Sequence, residues 1–302
     1  MRSVKSSMKA WKTAAARLTL VIVIVVHALE PGAGWAQEPA QSRIEEETSK
    51  QKKIYQSRGA EVPDGYVTNR GLSDYAGLLP SGFCAALGTL GTSDRWLDIG
   101  AGAGQAILDY YAPPDPAAPA EKCALPGGLA SAVAMSIEDR RTAAWHQLAA
   151  SLGERIRYLT GKSLRHYSLE ELGKFQMITD VYGGFSYTED LARYMEKVLS
   201  LLEVGGGFYT NVQHVHLDAS QDSPASWYQT ELLDAAGGDE KVCSWLKKIA
   251  CVKVGCESKS AWEPPTEQIN IRKVCSDVSV PRMKLVKFEA GNPPNRRFQL
   301  EP

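Results

Sequence analysis

Three glycines spaced two apart, Gly100, Gly102 and Gly104, follow an apolar run that carries a carboxylate, Trp96-Leu97-Asp98-Ile99. Glycine lets a chain turn tightly and puts no Cβ in the way, so such a turn offers backbone N–H groups for a ligand to lie against. The G-x-G-x-x-G fingerprint of dinucleotide sites needs a glycine where this chain has Gln105, and the pattern here is D-x-G-x-G-x-G instead. Further along, Glu138-Asp139, Asp180 with Tyr182, Ser186 and Tyr187, and His214, His216 and Asp218 are the other groups whose types suit binding or proton transfer. His214 and His216 alternate and so share one strand face. Read together with Asp218 they are candidates for acid–base or metal work, while a plain polar strand face is the simpler alternative.

The elements that must carry these groups follow from periodicity. Trp96 to Asp98 reads as a short buried strand, followed by the glycine turn and then a helix with Ile107, Leu108 and Tyr111 on one face. Ahead of them, Ser73-Asp74-Tyr75 opens an apolar helix that runs past Pro80 towards Leu90. After a Pro- and Ala-rich excursion, Ala130 to Ile137 reads as a second strand. Asp139 then caps a helix over Arg140 to Leu152 whose inner face is Ala143, Ala144, Leu148 and Leu152. Arg155 to Thr160 is a third strand, and Ser168-Leu169-Glu170-Glu171 a capping box that opens a short helix. Phe175 to Thr179 is a fourth strand. Ser186-x-x-Glu189 is a second capping box, leading a helix that buries Leu191, Tyr194, Met195, Val198 and Leu202. Gly205-Gly206-Gly207 ends that helix before a fifth strand over Phe208 to Val215. Helices are expected around Trp227 to Ala236 and Lys241 to Ile249. Gln268 to Val274 and Met283 to Phe288 alternate as two closing antiparallel strands, and Gly291 to Phe298 forms a basic tail with solvent-facing arginines.

The order of units and the D-x-G-x-G-x-G turn resemble the class I S-adenosylmethionine-dependent methyltransferases over about residues 70–290, with only the turn specific. The alternation itself indicates an α/β sheet with helices on both faces. The resemblance implies a Rossmann-like three-layer sandwich whose seven-stranded sheet is mostly parallel with one antiparallel strand. It implies S-adenosyl-L-methionine as cofactor, with Gly100, Ala101, Gly102 and Gly104 beside its methionine part and Asp98 holding the turn and the ammonium end. An acidic residue after the second strand would accept hydrogen bonds from both ribose hydroxyls, as an acceptor-only carboxylate can. Glu138 is the preferred residue, with Ser136 the position that strict alignment gives. Where relatives carry Gly-Asp for the adenine, this chain has Gly161-Lys162, which leaves Ser163 or a backbone amide. The end of the fourth strand would face the transferring methyl and its acceptor, so Asp180 is both a cofactor contact and the first candidate general base, followed by Tyr182 and His214.

The 302 residues, 44% hydrophobic and 23% charged, are ordinary for a globular protein, and a net charge of −1 gives no electrostatic case for nucleic acid or an anionic membrane. Arg2, Lys5, Lys9, Lys12 and Arg17 precede an apolar run, Leu18 to Leu29, and then the small residues of Gly34-Trp35-Ala36. That is the pattern of a signal peptide cleaved after Ala36, with an uncleaved anchor as the alternative. Cleavage leaves no stable membrane span and implies a periplasmic or secreted protein. The six cysteines then read as disulfides, with buried thiols the alternative. Cys84 and Cys123 make a candidate pair, while the three pairings among Cys243, Cys251, Cys256 and Cys275 are not ranked. No C-x-x-C and no histidine at zinc-ligand spacing occurs, so no metal site is expected.

The domain reading is a signal peptide over 1–36, an N-terminal extension over 37–72 and a methyltransferase domain over 73–302. Its partners would be S-adenosylmethionine and an unidentified small-molecule methyl acceptor. The alternatives are an exported, non-catalytic ligand-binding module of the same fold and, behind it, a nicotinamide-dependent oxidoreductase. Mass spectrometry of the mature protein is expected to find Gln37 as the first residue. A chain beginning at Met1 or Met8 would overturn the export reading.

Overall fold

The computed structural model describes residues 42, 44–46, 48–50, 69–112, 123, 125, 127–213, 230–261, 265–289 and 294–302. The expected signal peptide, most of the extension, His214, His216 and Asp218 lie outside these residues.

Two short helices come first, α1 (Leu72–Leu78) and α2 (Phe83–Gly88). They replace the single expected helix because Pro80 has no N–H to continue the ladder, and the residue before a proline is pushed to extended geometry. Leu79 does have extended angles, φ −107° and ψ 163°. Next come β1 (Arg95–Ile99), α3 (Gln105–Tyr111), β2 (Ser131–Met135), α4 (Ala143–Leu152), β3 (Ile156–Leu159), α5 (Leu169–Leu172), β4 (Phe175–Asp180), α6 (Gly184–Tyr187), α7 (Leu191–Leu201) and β5 (Leu202–Gln213). The chain closes with β6 (Thr230–Leu233), β7 (Asp239–Glu240), α8 (Val242–Leu246), β8 (Val252–Lys259), β9 (Thr266–Lys273), β10 (Met283–Glu289) and β11 (Asn295–Leu300).

The main sheet has seven strands in the order β3-β2-β1-β4-β5-β9-β8. The pairs from β3 through β5 are parallel, while β9 runs antiparallel to both β5 and β8, so one strand is reversed. This is the Rossmann-like architecture expected, with the closing pair made by β8 and β9. Alternation along the strands builds a core on each face. Leu97, Ile99, Ile178 and Phe208 pack with α7, α8 and the tail strands, whereas Trp96, Met177 and Tyr209 pack with α1 to α4.

Several local expectations change. The cap of α4 is Thr142, whose side chain accepts the Trp145 N–H, and Asp139 binds Arg141 instead. The inner face of α4 is Trp145 with Leu148, Ala149 and Leu152, while Ala143 and Ala144 are exposed. In α3, Tyr110 is more deeply buried than Tyr111. The Ser168 capping box forms as read, with Ser168 Oγ accepting from Glu171 N and Glu171 Oε2 accepting from Ser168 N. The Ser186 box does not, because Ser186 sits inside α6 and Asp190 caps α7 by accepting the Arg193 N–H. Gly205 to Gly207 lie within β5, where the register to β4 jumps from Phe175↔Leu202 to Met177↔Gly207. Glycine weakens a strand by about 0.5–1 kcal/mol against alanine, but full burial of an apolar side chain such as Phe208 or Val212 contributes about 1.5–3 kcal/mol, so the strand persists.

The tail departs furthest. Met283 to Glu289 does not join the main sheet. It is β10 of a second, four-stranded sheet ordered β10-β11-β6-β7. Thr230 to Leu233, expected as helix, is a strand of this sheet, parallel to β11. The basic tail is β11 itself, and Arg296 is buried rather than solvated.

All six cysteines are bridged, Cys84 to Cys123, Cys243 to Cys256 and Cys251 to Cys275. Peptide mapping of unreduced protein is expected to recover these three links, and thiol titration in denaturant to find no free thiol. Recovery of Cys243 linked to Cys251 would contradict the pairing. Removing a native bridge costs about 2–5 kcal/mol in small secreted domains, so Cys251→Ser with Cys275→Ser should lower the unfolding midpoint measurably.

Candidate functional site

The glycine turn joins β1 to α3 with Gly100, Gly102 and Gly104 at φ 76°, 55° and 78°. These are left-handed conformations that side-chain-bearing residues rarely adopt. Two of the glycines are also required by space. A Cβ on Gly100 would stand 2.6 Å from Gly183 Cα, and one on Gly104 2.5 Å from the Trp145 ring. The turn is tied to β2 by Gly100 and Ala101 N–H groups on Met135 O, at 2.9 and 3.0 Å. The Tyr158 hydroxyl on β3 donates to Gly102 O from below.

Asp98 is wholly buried at the end of β1. Its carboxylate accepts from the Tyr75 hydroxyl at 3.0 Å and from Thr179 Oγ1 at 2.7 Å, and Thr179 in turn accepts the Trp96 indole N–H at 2.8 Å. Asp98 therefore joins α1, β1 and β4 beneath the turn. Burial pushes its pKa up to about 7, against the hydrogen bonds from Thr179 and Tyr75 that favour its charge. A second link holds α1 from its other end, where Asp109 of α3 accepts the Leu72 N–H at 2.9 Å.

On the far side of the turn, Met135 is the last residue of β2, and Ser136 and Glu138 follow it. The Ser136 hydroxyl lies at that of Tyr158. The Glu138 carboxylate is partly buried and meets Arg140 at 2.8 Å. The loop after β3 packs alongside, with Gly161 N donating to Ile137 O at 3.1 Å. In that loop the Ser163 hydroxyl is buried without a hydrogen-bond partner. Lys162 reaches away to Glu171 at 3.0 Å.

At the end of β4 stands Asp180, expected from the sequence as a cofactor contact and general base. Its side chain is fully buried and accepts the Gly183 and Phe185 N–H groups, both at 2.8 Å, and the Tyr194 hydroxyl. Burial lifts its pKa to about 6, while those donors and the Arg296 guanidinium pull it down. Every one of these partners belongs to the loop or to the helices that follow it, so Asp180 organises the loop. Arg296, 2% exposed, supports the same loop by donating to Thr188 O and Thr230 Oγ1, each at 2.6 Å. Burial lowers its pKa to about 9, with Asp180 and Tyr187 acting in the opposite sense.

That loop presents Tyr182 in a left-handed conformation, φ 54°, unusual for an aromatic residue. Gly183, next in sequence, makes the close contact with Gly100, so the loop after β4 and the glycine turn touch backbone to backbone. The Tyr182 hydroxyl accepts from Gln213 Nε2 at 3.1 Å, and the Arg70 guanidinium lies 4.9 Å over its ring. Asn211, on β5 beside it, is fully buried. Neither Asn211 nor Gln213 was singled out in the sequence. The only signal was two carboxamides alternating at the end of a strand whose preceding residues, Phe208 to Thr210, are aromatic and hydroxyl.

No family model and no curated protein matches the chain. Among solved structures it is similar to a 1,6-didemethyltoxoflavin-N1-methyltransferase from Burkholderia thailandensis, with 16% identity, 78% of this chain and 91% of that one covered, and a TM-score of 0.44. An rRNA methylase from Streptococcus thermophilus gives 11% identity, 64% and 95% coverage and a TM-score of 0.39. The [4+2]-cyclase SpnF gives 12%, 75%, 95% and 0.41. These likenesses assign no role to any residue of this chain.

The buried carboxylate makes stability depend on pH. Asp98 has a folded pKa above the ordinary value near ~3.9, so the folded protein keeps a proton that the unfolded chain releases. This contribution is whole below about pH 4 and is lost as pH rises through about 7. Asp180 acts in the same direction up to about pH 6. Asp98→Asn keeps an acceptor for Thr179 and offers an N–H to Tyr75. Denaturant unfolding between pH 4 and 7 is expected to show wild-type stability falling with pH, and the variant falling less steeply by up to about 1.4 kcal/mol per pH unit. Identical slopes would place the titrating proton elsewhere.

Proposed function

We propose that this chain is an S-adenosylmethionine-dependent methyltransferase acting on a small-molecule acceptor. The observation that carries the reading is where the three left-handed glycines lie. They sit at the carboxyl end of β1, and the strand order reverses between β1 and β4, which is where open α/β sheets take their ligands. The D-x-G-x-G-x-G spacing favours this cofactor over a nicotinamide.

The residues present fit such a cofactor. Gly100, Ala101, Gly102 and Gly104 supply backbone for its methionine part, with Asp98 fixing the turn from beneath instead of touching the ammonium group. Glu138 supplies a carboxylate for the ribose, in exchange with Arg140. The partnerless hydroxyl of Ser163 is a buried group left for the adenine. When bound, the cofactor supplies a methyl group on a positively charged sulfur. The protein's part is then largely positional, since an aligned methyl and nucleophile need little further help. Asp180 holds the loop that presents Tyr182, and Tyr182 lies at the acceptor side with its hydroxyl held by Gln213. A role for His214 as an alternative base rests on the sequence alone.

We place the protein in an oxidising compartment, periplasmic or extracellular, in keeping with its three disulfides and its basic and apolar N-terminal sequence. The same disulfides favour a second reading, a non-catalytic binding protein, because S-adenosylmethionine is made in the cytosol.

Calorimetry on the purified, disulfide-bonded protein tests the reading. S-adenosylmethionine is expected to bind and NAD not to bind. Gly102→Val should abolish binding by placing a branched side chain at a left-handed turn position. Glu138→Ala removes charge-assisted hydrogen bonds of about 1.5–3 kcal/mol each and should weaken binding at least tenfold. A loss with Ser136→Ala instead would move the ribose contact back by two residues. No heat with millimolar S-adenosylmethionine would leave the binding-protein reading in its place.

A further inference from the structure

The end of β5 holds polar atoms that the fold does not use. Asn211 is 0% exposed, and neither its Oδ1 nor its Nδ2 has a hydrogen-bond partner. Two residues on, and on the same side of the strand, Gln213 gives its N–H to Tyr182 but leaves Oε1 buried and unpartnered. Buried carboxamides without partners are rare in native proteins, because each loses its hydrogen bonds to water and gains none in return. The Asn211 amide lies beside the Tyr182 hydroxyl, close enough to favour the phenolate though outside hydrogen-bonding geometry, while burial and not this neighbour dominates the raised pKa of Tyr182. A continuous chain of contacts leads back to the glycine turn, from Gln213 to Tyr182, from Tyr182 to Gly183, and from Gly183 to the backbone of Gly100.

We infer that Asn211, with Gln213 beside it, is the recognition subsite for the methyl acceptor, and that the acceptor carries a neutral edge with an N–H or O–H donor next to a carbonyl, as in a lactam or cyclic amide. This rests on the methyltransferase reading for the word acceptor, but the subsite itself does not depend on it. A carboxamide presents a donor and an acceptor side by side, and it does so whichever way the amide is turned. A lactam edge matches both in one planar pair. A carboxylate matches only the donor and sets its charge against Oδ1 and Oε1, and a hydrocarbon matches neither. An arrangement of this kind discriminates strongly, because an analogue lacking the donor leaves the protein's acceptor buried and unpaired.

The test uses 2-pyridone as probe and N-methyl-2-pyridone, which lacks the N–H, as control. Binding to the disulfide-bonded protein is followed by ligand-observed NMR, with and without saturating S-adenosylhomocysteine. Wild type is expected to prefer 2-pyridone at least tenfold, a difference of about 1.4 kcal/mol. Asn211→Leu, of similar volume, is expected to reduce the preference below twofold and leave S-adenosylhomocysteine binding within twofold. It should also raise the melting midpoint of the ligand-free protein by about 2–4 °C, since it removes an unsatisfied amide. Equal binding of the two probes by wild type overturns the inference without any variant. A lowered midpoint together with an unchanged preference in Asn211→Leu overturns it too, and points to an amide satisfied by an internal water. If S-adenosylhomocysteine fails to bind while the Asn211-dependent preference persists, the subsite stands and the methyltransferase reading falls. If the cofactor product binds and the preference is absent, the reverse holds.

Discussion

A carboxylate buried without a countercharge holds this site together. Asp98 stands near the end of β1, where burial opposes its ionisation and three hydroxyl-directed contacts to Tyr75 and Thr179 offset part of that cost. Because those partners belong to α1 and β4, one side chain sets the distance between the first helix, the glycine turn and the strand that leads to the Tyr182 loop. A hydrophobic residue in its place would fill the volume but remove the acceptor to which the Tyr75 and Thr179 hydroxyls donate. The polar network thus fixes relative position, which apolar packing alone specifies less sharply.

Asp180 does the equivalent work one strand away. It gathers the Gly183 and Phe185 N–H groups and the Tyr194 hydroxyl, and so folds the loop that carries Tyr182 against the glycine turn. The second sheet enters this arrangement through Arg296, which crosses from β11 to Thr188 O and lies close enough to favour the Asp180 charge. The tail strands therefore contribute to the site by supporting the loop from behind. Arg70 stands ahead of α1 and covers the Tyr182 ring.

The parts of this structure legible in the sequence are those set by local chemistry. The glycine turn, the parallel strands flanking it and the Ser168 capping box were readable because glycine spacing, apolar runs and a Ser-x-x-Glu pattern each have one dominant conformational outcome. The same logic failed where two local signals competed. Asp139 and Thr142 are both capable caps, and the depth at which Trp145 packs against Gly104 chose Thr142. Ser186 falls inside a short helix of its own, and Asp190 caps the next by accepting the Arg193 N–H. Thr230 to Leu233 reads as helix by composition, and it is a strand because β11 offers it an edge 66 residues away in sequence, Arg296 pairing with Thr230. Roles were harder to read than places. Asp98 and Asp180 are site candidates from the turn motif and a strand end, and the structure adds the internal donors that each carboxylate accepts from. Asn211 is the converse, visible only because its partners are missing.

The late disulfides interleave, since Cys251 falls inside the loop closed by Cys243 and Cys256, and Cys256 inside that closed by Cys251 and Cys275. A chain emerging N-terminus first presents Cys251 to Cys243 before Cys256 has arrived. Oxidation in order of appearance therefore joins the wrong partners, and a thiol must later attack that bond to release it. The native crosslinks of this region record a folded hairpin of β8 and β9, not the order of synthesis. A host that makes this protein needs either oxidation slow enough for that hairpin to form first or a catalyst of disulfide exchange.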